Sequence, residues 1–250
     1  MSDYNTVDYS IDNGICTIAL NRPDVLNAMN RQLIDETALA FDEANRDPSA
    51  SVIVFTGRGR AFCAGDDRDA HEHPEDENAA RDLVHAIQRV TEVMVFGDKP
   101  VVGAINGWAV GGGFSWAVNC DFPIWARGAR GFLPEVFLNL FVTGGITALL
   151  PAMAGLNRAR EMLMLGERYD ADALLEMGVA WRVVDDERLM AEALETAEKV
   201  ARLPALSARA MKRVLGQTAA ADLKKAMELE TGATVEGFMD PETTRRLKDF

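Results

Sequence analysis

The chain has 250 residues, 48% of them hydrophobic, and a formal net charge of −13 at pH 7. That length and composition predict one large globular domain with an appendage. The excess of acidic residues argues against a nucleic-acid partner. The sequence contains no run of 18 or more apolar residues, so we expect no membrane-spanning helix. The segment "MSDYNTVDYSIDNG" lacks the basic and apolar parts of a secretory signal, so we expect a cytoplasmic protein.

Neither the cysteines nor the histidines follow a metal-binding pattern. Cys16, Cys63 and Cys120 form no CxxC pair, and we expect them to be reduced, buried thiols. His71 and His73 lie within "DDRDAHEHPEDEN", which is typical of a solvated surface loop or mobile segment. We therefore expect no metal site.

The first three quarters of the chain alternate strands with helices. "TVDYSID" and "GICTIALN" predict a hairpin around Asn13-Gly14. Buried strands are expected at "SVIVFTG" and "PVVGAING", and a further strand at "FPIWARG". Helices are expected at "RQLIDETALAFDEANRD" and from Asp82 to Val95. The repeated order of strand, strand and helix predicts an α/β spiral of stacked units over residues 1–186.

Residues 187–250 form the predicted appendage, which is helical. Apolar residues recur at helical spacing in "RLMAEALETAEKVARL", and the pattern continues in "ALSARAMKRVL" after Pro204 and in "ADLKKAMELETGATVEGF". Exposed apolar stripes of this kind favour packing between subunits. We expect this region to serve oligomerisation.

Glycines cluster at two strand ends, in "GRAFCAGDD" and in "GWAVGGGFS". Glycine allows a ligand to approach the backbone closely, and N–H groups at the start of a helix carry the positive end of its dipole. If the two segments converge, one N–H group from each forms an oxyanion hole.

Five segments together resemble the crotonase superfamily, the enoyl-CoA hydratase and isomerase family. They are "LNRPDVLNAMN", "VIVFTGRGRAFCAGDD", "KPVVGAINGWAVGGGFSWAVNCD", "FLPEVFLNL" and "ALLEMGVAWRVV". The resemblance implies a crotonase (ClpP-like) spiral of ββα units with a C-terminal helical trimerisation region. It also implies a homotrimer or a dimer of trimers. The implied substrate is an acyl-CoA thioester, with coenzyme A as part of the substrate and no separate cofactor.

The same resemblance implies the positions of the site residues. The backbone N–H groups of Asp66 and Gly112 would hold the thioester oxygen as it becomes an enolate. A carboxylate on Asp66 would repel that enolate unless its side chain points away. The implied substrate-binding residues are Arg22, Ala64, Gly65, Gly111 and Phe250.

Glu135 and Ser115 are the expected catalytic side chains. Glu135 matches the family's second glutamate, and its apolar sequence neighbours should raise its pKa. Ser115 stands where typical hydratases have their first glutamate; it cannot act as a general base but can position water or a substrate group.

Three functions are compatible with these residues. A single carboxylate suffices to shift a double bond, whereas hydration is easier with two, so both an enoyl-CoA isomerase and a hydratase fit. A hydroxycinnamoyl-CoA hydratase-lyase is a second alternative, weakened because no tyrosine follows Tyr169. The third is a non-catalytic acyl-CoA-binding protein.

Overall fold

The computed structural model describes residues 4–218 and 222–249. Its larger sheet has six strands, and β1 pairs antiparallel with β2 while the remaining pairs are parallel. In spatial order the strands are β1 (Val7–Asp12), β2 (Ile15–Leu20), β3 (Val52–Gly57), β5 (Val101–Ile105), β7 (Phe122–Ala126) and β10 (Arg182–Val184).

A smaller sheet has four short strands, which alternate along much of the chain with strands of the larger sheet. Its spatial order is β4 (Ala61–Cys63), β6 (Trp108–Val110), β8 (Arg130–Phe132) and β9 (Tyr169–Asp170). The pairs β4–β6 and β6–β8 are parallel.

The helices complete each unit. They are α1 (Arg31–Arg46), α2 (Glu77–Val95), α3 (Gly112–Val118), α4 (Ile146–Ala154), α5 (Leu156–Leu165), α6 (Ala171–Glu176), α7 (Leu189–Ala201), α8 (Ala205–Thr218), α9 (Leu223–Met239) and α10 (Pro241–Asp249). Short 3₁₀ turns occur at Pro23–Val25, Glu135–Leu138 and Asp186–Arg188. None of the helices in the described ranges combines the length and apolar character needed to cross a membrane.

Successive units send one strand to each sheet and then form a helix. The pairs β3–β4, β5–β6 and β7–β8 each contribute their first strand to the larger sheet and their second to the smaller one. Residues of β3 and β5 are all buried, as expected of parallel strands covered on both faces. The predicted α/β spiral is confirmed.

Several local predictions are also confirmed. Asn13 and Gly14 both have positive φ, at 49° and 83°, in the turn between β1 and β2. The helix expected from Asp82 begins earlier, at Glu77, because Asp76 caps it by accepting a hydrogen bond from the N–H of Ala79. The three cysteines are buried and unpaired.

The C-terminal helices pack on the rest of the chain to different extents. The apolar stripe of α7, formed by Leu189, Ala193 and Ala197, is buried within the main core against strands of the larger sheet. Helix α9 packs on α2 and α4. Large exposed apolar side chains remain on α8, among them Leu206 and Met211, at 83% and 67% exposure. The amphipathic pattern predicted the helices correctly but could not tell an intramolecular contact from an intersubunit one.

Candidate active site

The site lies where three parallel strands of the smaller sheet end. The register pairs Cys63 with Ala109, and Val110 with Phe132. Because parallel strands present the same end at one edge, the residues that follow β4, β6 and β8 are neighbours. The two glycine-containing segments and the segment carrying Glu135 are therefore brought together by the sheet register.

Glycines let the first two of these segments touch. Gly65 has φ +87°, and a Cβ there would lie 3.0 Å from the carbonyl oxygen of Val110. A Cβ on Gly113 would lie 2.4 Å from the carbonyl oxygen of Cys63. No side chain fits at this junction without a shift of its neighbours, so close packing requires glycine here.

Gly111 has a different neighbour, the carboxyl group of Glu135. Its φ is +55°, and a Cβ built there would lie 2.9 Å from Oε1 of Glu135. The N–H of Gly111 donates to the carbonyl oxygen of Phe132, which holds the glycine run to the end of β8. The carboxyl group thus lies directly over the start of α3.

Two backbone N–H groups are available at this junction. Gly112 is the first residue of α3, and an N–H at that position has no acceptor within its own helix. Met29 and Asp66 form a parallel bridge that uses the carbonyl of Gly65 and the N–H of Asp67. This bridge leaves the N–H of Asp66 out of the ladder.

Glu135 is the strongly perturbed acid of the site. Its Oε2 atom is buried and has no hydrogen-bond partner. Burial raises the pKa of the Glu135 carboxyl from 4.5 to about 7, the direction expected from the sequence. The following residues Val136 and Phe137 are 46% and 50% exposed, whereas Gly111 lies directly against the carboxyl group.

A cavity of about 560 Å³ opens in front of these groups. Its apolar walls come from distant parts of the chain, including Phe238 of α9 and Leu247 of α10. Further apolar lining residues are Val25, Leu26, Met29, Ile34, Ile87, Val110, Leu138, Leu140 and Phe141. The size and lining suit the apolar part of a small-molecule ligand.

Basic side chains also line the cavity, although the chain is acidic overall. They are Arg60, Arg68 and Arg168. The guanidinium of Arg168 lies 5.9 Å from the ring centroid of Trp108 and 5.1 Å from that of Phe132. These groups provide the local positive charge that an anionic ligand requires.

The sequence-predicted residues divide into two groups. Ala64, Gly65, Asp66, Gly111, Gly112 and Glu135 all line the cavity. Ser115 does not: it is 1% exposed, and its Oγ lies 3.4 Å from the carbonyl oxygen of Gly111, to which it donates. A Cβ on Gly144 would lie 2.9 Å from the Cβ of Ser115, so a second loop covers this side chain.

Arg22 is not among the residues that line the cavity, and Phe250 lies outside the described residues. Arg22 donates through Nη1 to Oδ2 of Asp67 at 2.7 Å and to the carbonyl oxygen of Ala28 at 2.5 Å. Arg22 therefore links the segment around Ala28 to the loop that carries Asp67, and the Asp67 carboxylate has a structural partner.

His71 is the side chain that the sequence pattern misjudged most. The acidic stretch predicts a solvated loop, yet the His71 side chain is 3% exposed and its Nδ1 lies 2.9 Å from Oδ2 of Asp66. Its ring stacks on Phe238, with centroids 5.6 Å apart. No local signal could reveal this, because Phe238 lies more than 160 residues away along the chain. Across residues 4–218 and 222–249, no three His, Cys, Asp or Glu side chains gather as they would around a metal ion.

Comparison with known proteins gives a consistent result. Residues 10–246 match the model of the enoyl-CoA hydratase/isomerase family. The chain is 31% identical over 242 residues to a probable peroxisomal enoyl-CoA hydratase 1 of Arabidopsis thaliana, covering 95% of this chain and 89% of that protein. It is 33% identical over 225 residues to the 1,2-epoxyphenylacetyl-CoA isomerase of Escherichia coli K12, covering 88% and 85%. A crystal structure of an enoyl-CoA hydratase/isomerase from Mycobacterium paratuberculosis superposes with a TM-score of 0.92 at 30% identity, covering 98% of each chain.

Proposed function

The chain belongs to the enoyl-CoA hydratase/isomerase family, and on that premise we propose that it transfers a proton at carbon 2 of an enoyl-CoA thioester through an enolate. The reaction is hydration of the double bond, its reverse, or a shift of the double bond. The observation that carries the proposal is the buried carboxyl of Glu135, which lies over Gly111 at the start of α3.

The N–H groups of Asp66 and Gly112 receive the thioester oxygen in this proposal. As the enolate forms, negative charge develops on that oxygen. Two hydrogen bonds and the N-terminal end of α3 stabilise this charge more than they stabilise the neutral thioester. Removal of one such donor costs about 3 to 4 kcal/mol in comparable sites.

Glu135 moves the proton. With its pKa raised to about 7, the carboxyl populates both protonation states near neutral pH. It can therefore give a proton to carbon 2 and take one back, as a general acid and base must. A non-catalytic binding protein would have no need to keep this unpartnered carboxyl buried.

The arginines at the cavity hold the coenzyme A portion. Phosphates carry negative charge that the net charge of −13 would repel at long range. Arg60, Arg68 and Arg168 offset this locally, and the exposed rim at Trp108 offers an aromatic surface beside Arg168.

A three-substrate assay tests the proposal. Crotonyl-CoA, a 3-enoyl-CoA and a hydroxycinnamoyl-CoA are incubated with wild type and with Glu135→Gln, and products are identified by mass spectrometry. We expect conversion of one of the first two and a loss of about two to four orders of magnitude in Glu135→Gln. Glu236→Gln, at an exposed position on α9, is the matched control and should keep full activity. An unaltered rate in Glu135→Gln would remove Glu135 from the chemistry and favour the binding protein.

The proposed assembly is a homotrimer or a dimer of trimers that covers the apolar face of α8. The face is formed by Leu206, Met211, Val214 and Leu215, each at least half exposed in the single chain. Light scattering that shows a stable monomer at micromolar concentration would exclude it.

A further inference from the structure

The cavity wall holds a second acidic group with a buried partner. Asp66 lines the cavity, its side chain is 30% exposed, and its buried Oδ2 lies 2.9 Å from Nδ1 of His71. The two atoms are within ion-pair distance, but their angle is not that of a hydrogen bond, and Oδ2 has no other partner. Nε2 of His71 is buried without a partner as well. Unpaired buried polar atoms are costly, so their presence at a reaction cavity requires an explanation.

His71 is held firmly in this position. Its ring stacks on Phe238, and the next histidine of the loop, His73, makes a 3.0 Å hydrogen-bond contact through Nδ1 with Oγ1 of Thr244 on α10. The loop is thereby attached to both C-terminal helices. Asp66 has a partner whose position is set by the fold rather than by solvent.

The other acids of the cavity are less suited to chemistry. Asp67 is paired with Arg22. Asp24 and Asp69 are exposed. Ser115, which stands in the place of a family glutamate, is buried away from the cavity and has no carboxyl to offer. Asp66 is thus the acid that combines a cavity-lining position with a buried, fixed partner.

We propose that Asp66, positioned by His71, is the base that activates the water added to carbon 3, which makes the reaction a hydration. The inference rests on the proposed function. Asp66 takes one proton from water, and the hydroxyl oxygen bonds to carbon 3. The electron pair of the double bond moves toward carbon 2 and the thioester oxygen. Glu135 then gives its proton to carbon 2, and solvent exchange returns both carboxyl groups to their starting states.

Charge and spacing agree with this division. Asp66 becomes neutral as it takes the proton, at the stage when negative charge grows on the thioester oxygen held by its own N–H. The repulsion expected from the sequence is therefore relieved during the reaction. Strands β4 and β8 are separated by β6, so the two strands that precede Asp66 and Glu135 lie about 10 Å apart, from two spacings of about 4.8 Å. The two acids therefore reach the cavity from different strands of the smaller sheet.

Two activities separate the roles of the residues. Hydration of crotonyl-CoA needs both carboxyl groups, whereas deuterium exchange at carbon 2 of butyryl-CoA in D₂O needs Glu135 but no added water. We expect Asp66→Asn to lower the ratio of hydration to exchange by about 100-fold or more. Asp69→Asn, at an exposed position beside the same cavity, is the control and should keep the wild-type ratio.

His71→Phe keeps the ring against Phe238 but removes both nitrogens. Because His71 is a positioning residue, this variant should lower kcat for hydration about tenfold and leave KM and the exchange rate nearly unchanged. Asp66→Asn that hydrates within threefold of wild type, or that loses both activities equally, would overturn the inference. So would a wild type that exchanges but does not hydrate. A wild type that neither exchanges nor hydrates would overturn the proposed function itself.

Discussion

Replacing Glu135 with glutamine should stabilise the protein, and the gain should depend on pH. The folded-state pKa is raised to about 7 from an ordinary value of 4.5, so the folded protein binds the proton more tightly than the unfolded chain. Stability from this site is fully present below pH 4.5 and is lost as pH rises through 7. The loss is at most about 3 kcal/mol above pH 8.

Glutamine keeps the shape of the protonated acid and its unpartnered donor, so it matches the low-pH state of the wild type at every pH. The stability advantage of Glu135→Gln should therefore grow by about 2 kcal/mol between pH 5.5 and pH 8.5. Urea denaturation of both proteins at one protein concentration measures this difference. Glu236→Gln, which is exposed, should show no such growth. An advantage that is equal at the two pH values, or a variant less stable than wild type at pH 8.5, would refute the burial of an ionisable carboxyl.

Four further outcomes are expected from single substitutions. Arg168→Gln should raise KM for a coenzyme A thioester severalfold and leave kcat nearly unchanged, because it removes positive charge from the cavity. A clearly lowered kcat in steady-state kinetics would contradict a role of Arg168 in binding alone. Ser115→Ala should keep activity within about twofold, since only a 3.4 Å contact is lost, and a larger loss would return Ser115 to the site. Gly111→Ala should lower kcat strongly and lower the free energy of unfolding by about 1 to 3 kcal/mol, because a Cβ at positive φ would push against Oε1 of Glu135. Unchanged thermal stability of this variant would contradict the close contact between Gly111 and Glu135. Leu206→Glu should weaken self-association in sedimentation, and an unchanged assembly would exclude α8 from the interface.

Much of the larger sheet could be predicted from the sequence. Strands β3, β5 and β7 are continuous apolar runs, which reflect burial on both faces. The smaller sheet was missed because β4, β6 and β8 have only three residues each, too few for any period to be recognised. Yet it is the register of these short strands that aligns the site.

Within the site, the residues of the sequence motifs could be predicted, whereas contacts between residues far apart in the sequence could not. Asp66, Gly112 and Glu135 follow strand ends within quoted motifs, and the sheet brings their segments together. The pairing of His71 with Asp66 depends on the loop turning back and on α9 supplying Phe238. Local composition indicated only an acidic loop, since stacking across such a distance leaves no periodic signal.

A crystal structure with a bound, non-reactive acyl-CoA analogue would locate the thioester oxygen. We expect that oxygen within about 2.7 to 3.1 Å of the backbone nitrogens of both Asp66 and Gly112. We also expect a carboxyl oxygen of Glu135 beside carbon 2, and the coenzyme A phosphates toward the arginines. A thioester oxygen bound away from both N–H groups, or an acyl group outside the cavity lined by α9 and α10, would contradict the proposed site.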